Sequence, residues 1–135
     1  MTVVVDASVA LKWVLDEGDQ AEADRLRFEH LVVPEIWLAE CANALWARVI
    51  KQEVTPAAAD EMLAFLTNIG VDIRPHRLDI AAALGIAVEL KHPVYDCIYL
   101  ACAMREGGVL VTADTRFLKV LSGTRYERWA RSLAD

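Results

Sequence analysis

The sequence of 135 residues lacks several features that would place it in familiar classes of protein. Its three cysteines are an odd number without CxxC spacing, which favours buried, reduced thiols over a disulfide framework or a zinc site. The longest run of apolar and glycine residues, 80–88, is far shorter than the roughly 18 to 20 residues that cross a bilayer. No basic segment precedes the first apolar run, so we expect no secretory signal, no membrane association and a cytoplasmic location.

Glycine-rich phosphate loops and histidine motifs are missing as well. The paired glycines, Gly107 and Gly108, precede a predicted strand, which is the reverse of a P-loop or dinucleotide-binding arrangement. This order disfavours nucleotide-dependent enzymes. His30, His76 and His92 are isolated in the sequence, and we interpret each as a surface or turn residue rather than a metal ligand.

Basic charge is scarce, and the formal net charge is -6. Residues 1–115 hold 9 Lys and Arg against 18 Asp and Glu, whereas residues 116–135 hold 5 against 2. A chain that is acidic overall is not a general binder of polyanions. Any contact with nucleic acid therefore needs a local basic strip or bound metal ions.

Apolar strands alternate with helices along the chain. Four short apolar runs predict strands at 3–5, 31–33, 71–74 and 109–112, and the tail after Leu121 is predicted to hold either a fifth strand or a loose segment. Cap, proline and glycine signals predict helices that start after Ser8, run from Asp19 to about His30, from Pro34 to about Gln52, from Pro56 to Gly70, from about Leu78 to Leu90, from Pro93 to Glu106, and span 115–121. Because the strands are apolar throughout, we predict one α/β domain over residues 1–135, a three-layer α/β/α sandwich around a parallel sheet of four to five strands.

Acidic residues mark the edge of this sheet where sites are expected. Open α/β sheets bind ligands beyond the carboxyl ends of their strands, and Asp6 and Asp114 follow predicted strands. Asp96 lies in the first turn of a predicted helix. Each of the three has an ordinary interpretation as a helix cap. Glu40 differs, because the segment 36–47 is otherwise almost entirely apolar and is predicted to be buried nearly all round.

No basic residue lies three or four positions from Glu40 to neutralise it. A buried carboxylate without a partner protonates, finds a distant partner or binds a cation. Two interpretations stay open: a structural one, with a distant arginine or a helix-end hydrogen bond, and a cation site in which Asn43 orients Glu40. Clustered carboxylates repel one another, and a hard divalent cation relieves that repulsion. We therefore expect Mg²⁺ or Mn²⁺.

Four ordered blocks of the sequence resemble the PIN-domain ribonucleases and, among them, the VapC toxins of toxin–antitoxin pairs. The blocks are residues 3–13, 34–40 with 43–45, 92–96, and 112–114 before Phe117, so the resemblance covers nearly the whole chain. The resemblance implies that four acids are the catalytic, metal-binding residues and that three polar residues support them. The acids are Asp6, Glu40, Asp96 and Asp114, and the supports are Ser8, Asn43 and Thr112.

The implied activity is that of a Mg²⁺- or Mn²⁺-dependent endoribonuclease, in which one or two ions activate water for attack on a phosphodiester. The resemblance also implies a homodimer and a VapB-type antitoxin whose extended tail lies in an apolar groove. Trp13, Trp37 and Trp46 are candidates for that groove or for the core. Candidates for holding the RNA backbone are Lys12, Arg116, Lys119, Arg125 and Arg128.

Two other functions stay open. A PIN-like binding module would keep the metal ligands for stability or partner docking, without useful turnover. An aspartyl-nucleophile phosphatase is suggested by Asp6 directly after a strand. That chemistry needs a second acid two residues later, however, and this sequence has Ser8 there.

Overall fold

Five parallel strands form the centre of the protein in a computed structural model that describes residues 1–135. The strands are β1 (Thr2–Val5), β2 (His30–Pro34), β3 (Asp72–Arg74), β4 (Val109–Thr112) and β5 (Ala130–Ser132). The helices are α1 (Ala7–Ala10), α2 (Gln20–Leu26), α3 (Ile36–Ile50), α4 (Pro56–Thr67), α5 (Ile80–Leu90), α6 (Val94–Arg105) and α7 (Thr115–Leu121). Short 3₁₀ turns cover Leu11–Trp13, His76–Leu78 and Glu127–Trp129.

Strand β1 is covered on both faces. Its residues Val3, Val4 and Val5 have no exposed surface, and successive side chains of a strand point to opposite faces of the sheet. Helices must therefore pack on both sides, which confirms the predicted three-layer α/β architecture. Strand β5 pairs in parallel with β4, so the tail forms a fifth strand rather than a loose segment.

The strand order β3-β2-β1-β4-β5 fixes where a site can form. From β1 the chain moves outward through β2 and β3, and it then returns to the other side of β1 with β4 and β5. The crevice at the carboxyl ends of β1 and β4 is therefore the topological switch point, where open α/β folds bind ligands. Val5 lies opposite Val111 in the register, so Asp6 and Thr112 emerge side by side.

Several predicted element ends were wrong. Asp6, not Ser8, is the N-cap of α1, and its side chain accepts a hydrogen bond from the backbone N–H of Val9. Asp19 precedes α2 in the left-handed conformation and makes no side-chain cap bond, and α2 ends before β2 begins. Pro34 ends β2 instead of opening α3, which a proline can do at a strand terminus.

Helix α3 buries one stripe and not its whole surface. Trp37, Cys41 and Leu45 recur every four residues and are buried, whereas Asn43 is exposed and Trp46 is 59% exposed. The prediction that 36–47 is buried nearly all round was therefore wrong. The alanines of this segment raise its apolar content, but they do not require that their positions be buried.

The remaining core residues agree with their sequence assignments. All three cysteines are buried and free. Trp13 is buried and its indole N–H donates to the carbonyl oxygen of Ala23 at 2.7 Å. No helix of the chain combines the length and the apolar content that crossing a membrane requires.

Gly108 is required where β4 begins beside β1. A Cβ added to this residue would clash with the carbonyl oxygen of Thr2, which is backbone and cannot swing away. We expect Gly108→Ala to lower the free energy of unfolding by about 1 to 3 kcal/mol, the usual cost of overpacking, in a urea titration. Gly70→Ala is the control, because a Cβ there meets nothing within 4 Å. Equal losses in the two variants would contradict this account.

Candidate active site

Four acidic side chains line one cavity of about 260 Å³ at the switch point of the sheet. Asp6 follows β1, Asp114 follows β4, Glu40 lies in α3 and Asp96 lies in the first turn of α6. The structure therefore brings together all four acids that the sequence analysis selected. We refer to this space as the acidic cavity. The role of these acids as metal ligands stays a prediction.

Asp6 makes the most hydrogen bonds of the four. The Ser8 hydroxyl donates to its Oδ1 at 2.5 Å, the Thr112 hydroxyl donates to its Oδ2, and the backbone N–H of Val9 donates to Oδ1 at 3.3 Å. Burial, with a smaller contribution from the charge of Asp96, nevertheless raises the pKa of Asp6 from 3.8 to about 6. Positive charge placed in the acidic cavity would therefore stabilise the ionised carboxylate.

The same two hydroxyls tie β1 to the chain that leaves β4. Ser8 Oγ accepts a hydrogen bond from the backbone N–H of Ala113 at 3.0 Å, and Thr112 Oγ1 accepts one from the backbone N–H of Asp114 at 3.0 Å. Thr112 has no exposed surface. Ser8 and Thr112, which the resemblance selected as polar supports, thus contact both Asp6 and the segment that carries Asp114.

Asp114 combines its capping role with a place in the acidic cavity. Its Oδ1 accepts hydrogen bonds from the backbone N–H groups of Arg116 and Phe117, at 3.0 and 3.2 Å, and so caps α7. Its Oδ2 has no hydrogen-bond partner within the chain. The cap that the sequence suggested is therefore present, and it leaves one carboxylate oxygen free to bind another group.

Glu40 is held by a residue that the sequence analysis missed. The hydroxyl of Tyr99 donates to Glu40 Oε1, and Tyr99 is itself 2% exposed. No arginine pairs with Glu40, so the structural interpretation that relied on one was wrong. Burial and the charge of Asp96 raise the pKa of Glu40, while the bond from Tyr99 opposes the shift. Asn43 lines the acidic cavity but makes no side-chain hydrogen bond to Glu40.

Asp96 also has a partner that the sequence analysis did not assign. The Nε2–H of His92 donates to Asp96 Oδ2 at 2.7 Å, and the imidazole ring packs on Phe117. His92 lies in the turn before α6, as the sequence analysis expected, but that analysis did not assign its contact with Asp96. The spacing of four residues between His92 and Asp96 was the signal available in the sequence.

The basic residues proposed to hold RNA divide into two groups. Lys12, Arg116 and Lys119 form no salt bridge, and the last two are exposed on α7 just beyond Asp114. Arg125 is bound by Glu89 at 3.0 Å. Arg128 stacks on the ring of Trp129, with 4.8 Å between its Cζ and the ring centroid. The first group is therefore the better placed to bind phosphate.

The donor set of the acidic cavity is made of oxygen atoms, which suits Mg²⁺ or Mn²⁺. No group of three or more His, Cys, Asp or Glu side chains is placed to hold an ion by itself. Mg²⁺ usually keeps several waters and binds through one or two carboxylates together with substrate phosphates, rather than in a cage made by protein alone. The four acids and the volume between them fit an ion held in that way.

Comparisons with known proteins settle the family. The family model for the PIN domain matches residues 3–121. The chain belongs to the PIN-domain family. It is 32% identical over 118 residues to Ribonuclease VapC3 of Pyrobaculum aerophilum, and the aligned segment covers 84% of this chain and 90% of that protein.

Among solved structures, the crystal structure of PAE2754 from Pyrobaculum aerophilum matches with a TM-score of 0.71 and 26% identity, over 99% of this chain and 85% of that one. A toxin–antitoxin complex from Klebsiella pneumoniae matches with a TM-score of 0.64 and 19% identity, over 97% of each chain.

The PIN-domain match confirms the predicted family and fold. All four sequence blocks that carried the resemblance fall within the matched residues 3–121. The matched segment ends at Leu121, where the sequence analysis left the tail open. Strand β5 therefore extends the sheet of this PIN domain beyond the segment that the family model describes.

In metal-free protein, ionisation of Asp6 is expected to cost stability. Its pKa is about 6 in the folded chain against an ordinary 3.8, so the folded state binds this proton more tightly. The stabilisation is fully present below pH 3.8 and is lost as the pH rises through 6. We expect Asp6→Asn to gain about 2 kcal/mol relative to the wild type between pH 4 and pH 7, measured by urea unfolding in EDTA.

Asp24→Asn is the matched control, because Asp24 is an exposed helical acid outside the acidic cavity. The gain of Asp6→Asn between the two pH values should exceed any change that this control shows. A constant difference between Asp6→Asn and the wild type at both pH values would show that burial does not perturb Asp6.

Proposed function

We propose that this PIN domain is a Mg²⁺- or Mn²⁺-dependent endoribonuclease and the toxin of a toxin–antitoxin pair. The observation that carries the proposal is the convergence of Asp6, Glu40, Asp96 and Asp114 on one cavity with no lysine or arginine paired to any of them. The likeness to Ribonuclease VapC3, at 32% identity over most of both chains, supports RNA as the substrate.

The four acids are the residues that would hold the ion, Asp6 and Asp114 from the sheet edge and Glu40 and Asp96 from the helices. When bound, a divalent ion would lower the pKa of the attacking water and stabilise the negative charge on the phosphate. The chain itself supplies orientation. Hydrogen bonds fix both oxygens of Asp6 and one oxygen of each of the other three acids.

Contact with the RNA backbone falls to the basic residues that are free of acidic partners. Arg116 and Lys119 lie three residues apart on α7, and Asp114 caps the same helix. Lys12 lies in the 3₁₀ turn that follows α1. Together with bound metal, these side chains would let an acidic protein bind a polyanion near the acidic cavity.

The phosphatase alternative loses support from the contacts of Asp6. The residue two positions later, Ser8, donates its hydroxyl hydrogen to Asp6, so no second acid stands where that chemistry needs one. The acidic cavity does not distinguish a binding module without turnover from the nuclease, because both would keep the four acids as metal ligands. An assay of RNA cleavage separates the binding module from the nuclease.

A VapB-type antitoxin is the partner we propose. An apolar groove of about 220 Å³ lies between α3 and α4 and is lined by Leu45, Trp46 and Leu63, with Trp46 exposed to receive a partner side chain. The fold match to a toxin–antitoxin complex supports this assignment. We also propose a homodimer, supported by the apolar stripe of Leu84 and Val88 on α5, which are 59% and 71% exposed.

Purified protein with Mg²⁺ or Mn²⁺ is expected to cleave RNA and to leave 5′-phosphate and 3′-hydroxyl ends, because water rather than the ribose 2′-hydroxyl attacks phosphorus. Asp6→Asn and Asp96→Asn should lower the rate by about 100- to 1,000-fold, the usual cost of removing one preorganised electrostatic group. Total cellular RNA is the substrate, and the ends are mapped by sequencing. Chelation of the metal should abolish cleavage.

Asp24→Asn serves again as the control and should cleave at the wild-type rate. A 2′,3′-cyclic phosphate product, or undiminished cleavage by folded Asp6→Asn, would refute the assignment of the acidic cavity. If the wild type binds Mn²⁺ but leaves RNA intact, the binding module is the correct interpretation.

Expression of this protein in a bacterial host that lacks the antitoxin is expected to arrest growth, because uncontrolled RNA cleavage stops translation. Asp96→Asn, produced at the same level, should allow growth. If a short reading frame for an antitoxin-like protein adjoins this gene, production of that protein together with the wild type should restore growth. Normal growth with abundant wild-type protein would count against the toxin assignment.

A further inference from the structure

His92 contacts Asp96 from outside the helix that carries the acid. Its Nε2 lies 2.7 Å from Asp96 Oδ2, and a carboxylate can only accept, so Nε2 carries the proton. The His92 side chain is 18% exposed, whereas that of Asp96 is 39% exposed. The histidine is therefore the more enclosed member of the pair, and it restrains the acid.

Packing against α7 holds His92 in place. The imidazole and the Phe117 ring have centroids 4.9 Å apart with 33° between their planes. Phe117 is 2% exposed and cannot move freely. The backbone N–H of Phe117 also donates to Asp114 Oδ1 at 3.2 Å. A continuous path of contacts therefore runs from Asp96 through His92 and Phe117 to Asp114.

Each of the two acids at the ends of this path has one carboxylate oxygen that accepts hydrogen bonds within the chain. His92 occupies Oδ2 of Asp96, and backbone N–H groups occupy Oδ1 of Asp114. The second oxygen of each carboxylate has no partner within the chain, and both side chains line the acidic cavity. Each acid is thus anchored by one oxygen and presents the other.

We propose that His92 is a positioning residue that sets Asp96 relative to Asp114 and so prepares this pair to bind a divalent cation. The inference rests on the metal-dependent function proposed above. Hydrogen-bonded partners of metal ligands orient them, and loss of such a partner typically costs about 10- to 100-fold in metal affinity.

The chain contains a second histidine–aspartate pair that serves as a matched control. His30 Nε2 lies 2.6 Å from Asp72 Oδ2, nearly the same contact, but the two side chains are 49% and 55% exposed. His30 opens β2, at the end of the sheet opposite the acidic cavity. Removal of this histidine changes a similar hydrogen bond without touching the candidate metal site.

The test measures Mn²⁺ affinity by isothermal titration calorimetry on the full chain. His92→Phe keeps an aromatic ring against Phe117 but removes the donor, and we expect its Mn²⁺ affinity to fall by about 10- to 100-fold. In His92→Gln the amide nitrogen reaches the position of Nε2, and affinity should return close to the wild-type value. His30→Phe should bind Mn²⁺ like the wild type. Unfolding temperatures in EDTA show that each variant is folded.

His92→Asn provides a second comparison if His92→Phe does not fold. Asn and Gln both lose the stacked ring, but the shorter Asn cannot reach Asp96, so only Gln should retain affinity. Equal Mn²⁺ affinity in the folded Phe variant and the wild type, or equally weak binding by Gln and Asn, would overturn the role of His92. A wild type that binds no Mn²⁺, either alone or in the presence of RNA, would overturn the metal-dependent function and this inference with it.

Discussion

The burial of carboxylates together at one edge of a parallel sheet is the constraint on which the site depends. The strand order sets the carboxyl ends of β1 and β4 side by side, so Asp6 and Asp114 follow neighbouring strands, and helices α3 and α6 add Glu40 and Asp96 to the same cavity. Burial raises the pKa of both Asp6 and Glu40, and the charge of Asp96 adds to each shift. The folded chain therefore carries an electrostatic cost that a divalent cation would relieve, so Asp6 and Glu40 link the folding energetics to the proposed catalysis.

Much of the fold follows from the sequence, because fully apolar strands can only be buried on both faces. The acids at strand ends follow from the same reasoning. Glu40 was selected for an incorrect reason, since α3 is buried along one stripe only. Its partner Tyr99 is 59 residues away in the sequence, and no local pattern reports such a contact. The cap of α1 was assigned to Ser8 because serine and aspartate cap equally well. The choice falls to Asp6 because the Ser8 hydroxyl donates to Asp6 and accepts from Ala113 beyond β4.

The family resemblance points to a function, which the geometry of the site alone leaves open. A cavity with four acids is compatible with metal storage, with docking or with hydrolysis, and burial does not distinguish these functions. Among these functions, the match to the PIN family and the likeness to Ribonuclease VapC3 support hydrolysis by a nuclease. The structure then contributes what the resemblance lacks, namely the partners of each acid in this particular chain. The contacts of His92 with Asp96 and of Tyr99 with Glu40 were found in this way, from the structure rather than from the resemblance.

The acids of the site and a buried acid elsewhere in the fold have different kinds of hydrogen-bond donor. Away from the acidic cavity, the buried Asp79 is held by Arg105 through two hydrogen bonds of 2.7 and 3.2 Å, so a permanent cation neutralises it. Within the cavity the donors are hydroxyl groups, backbone N–H groups and one imidazole N–H. An arginine at position 92 would hold Asp96 more tightly, but its charge would oppose a divalent cation at the free oxygen. Donors without a fixed charge orient the acids and keep their negative charge available, which is the arrangement that a cation-dependent site requires.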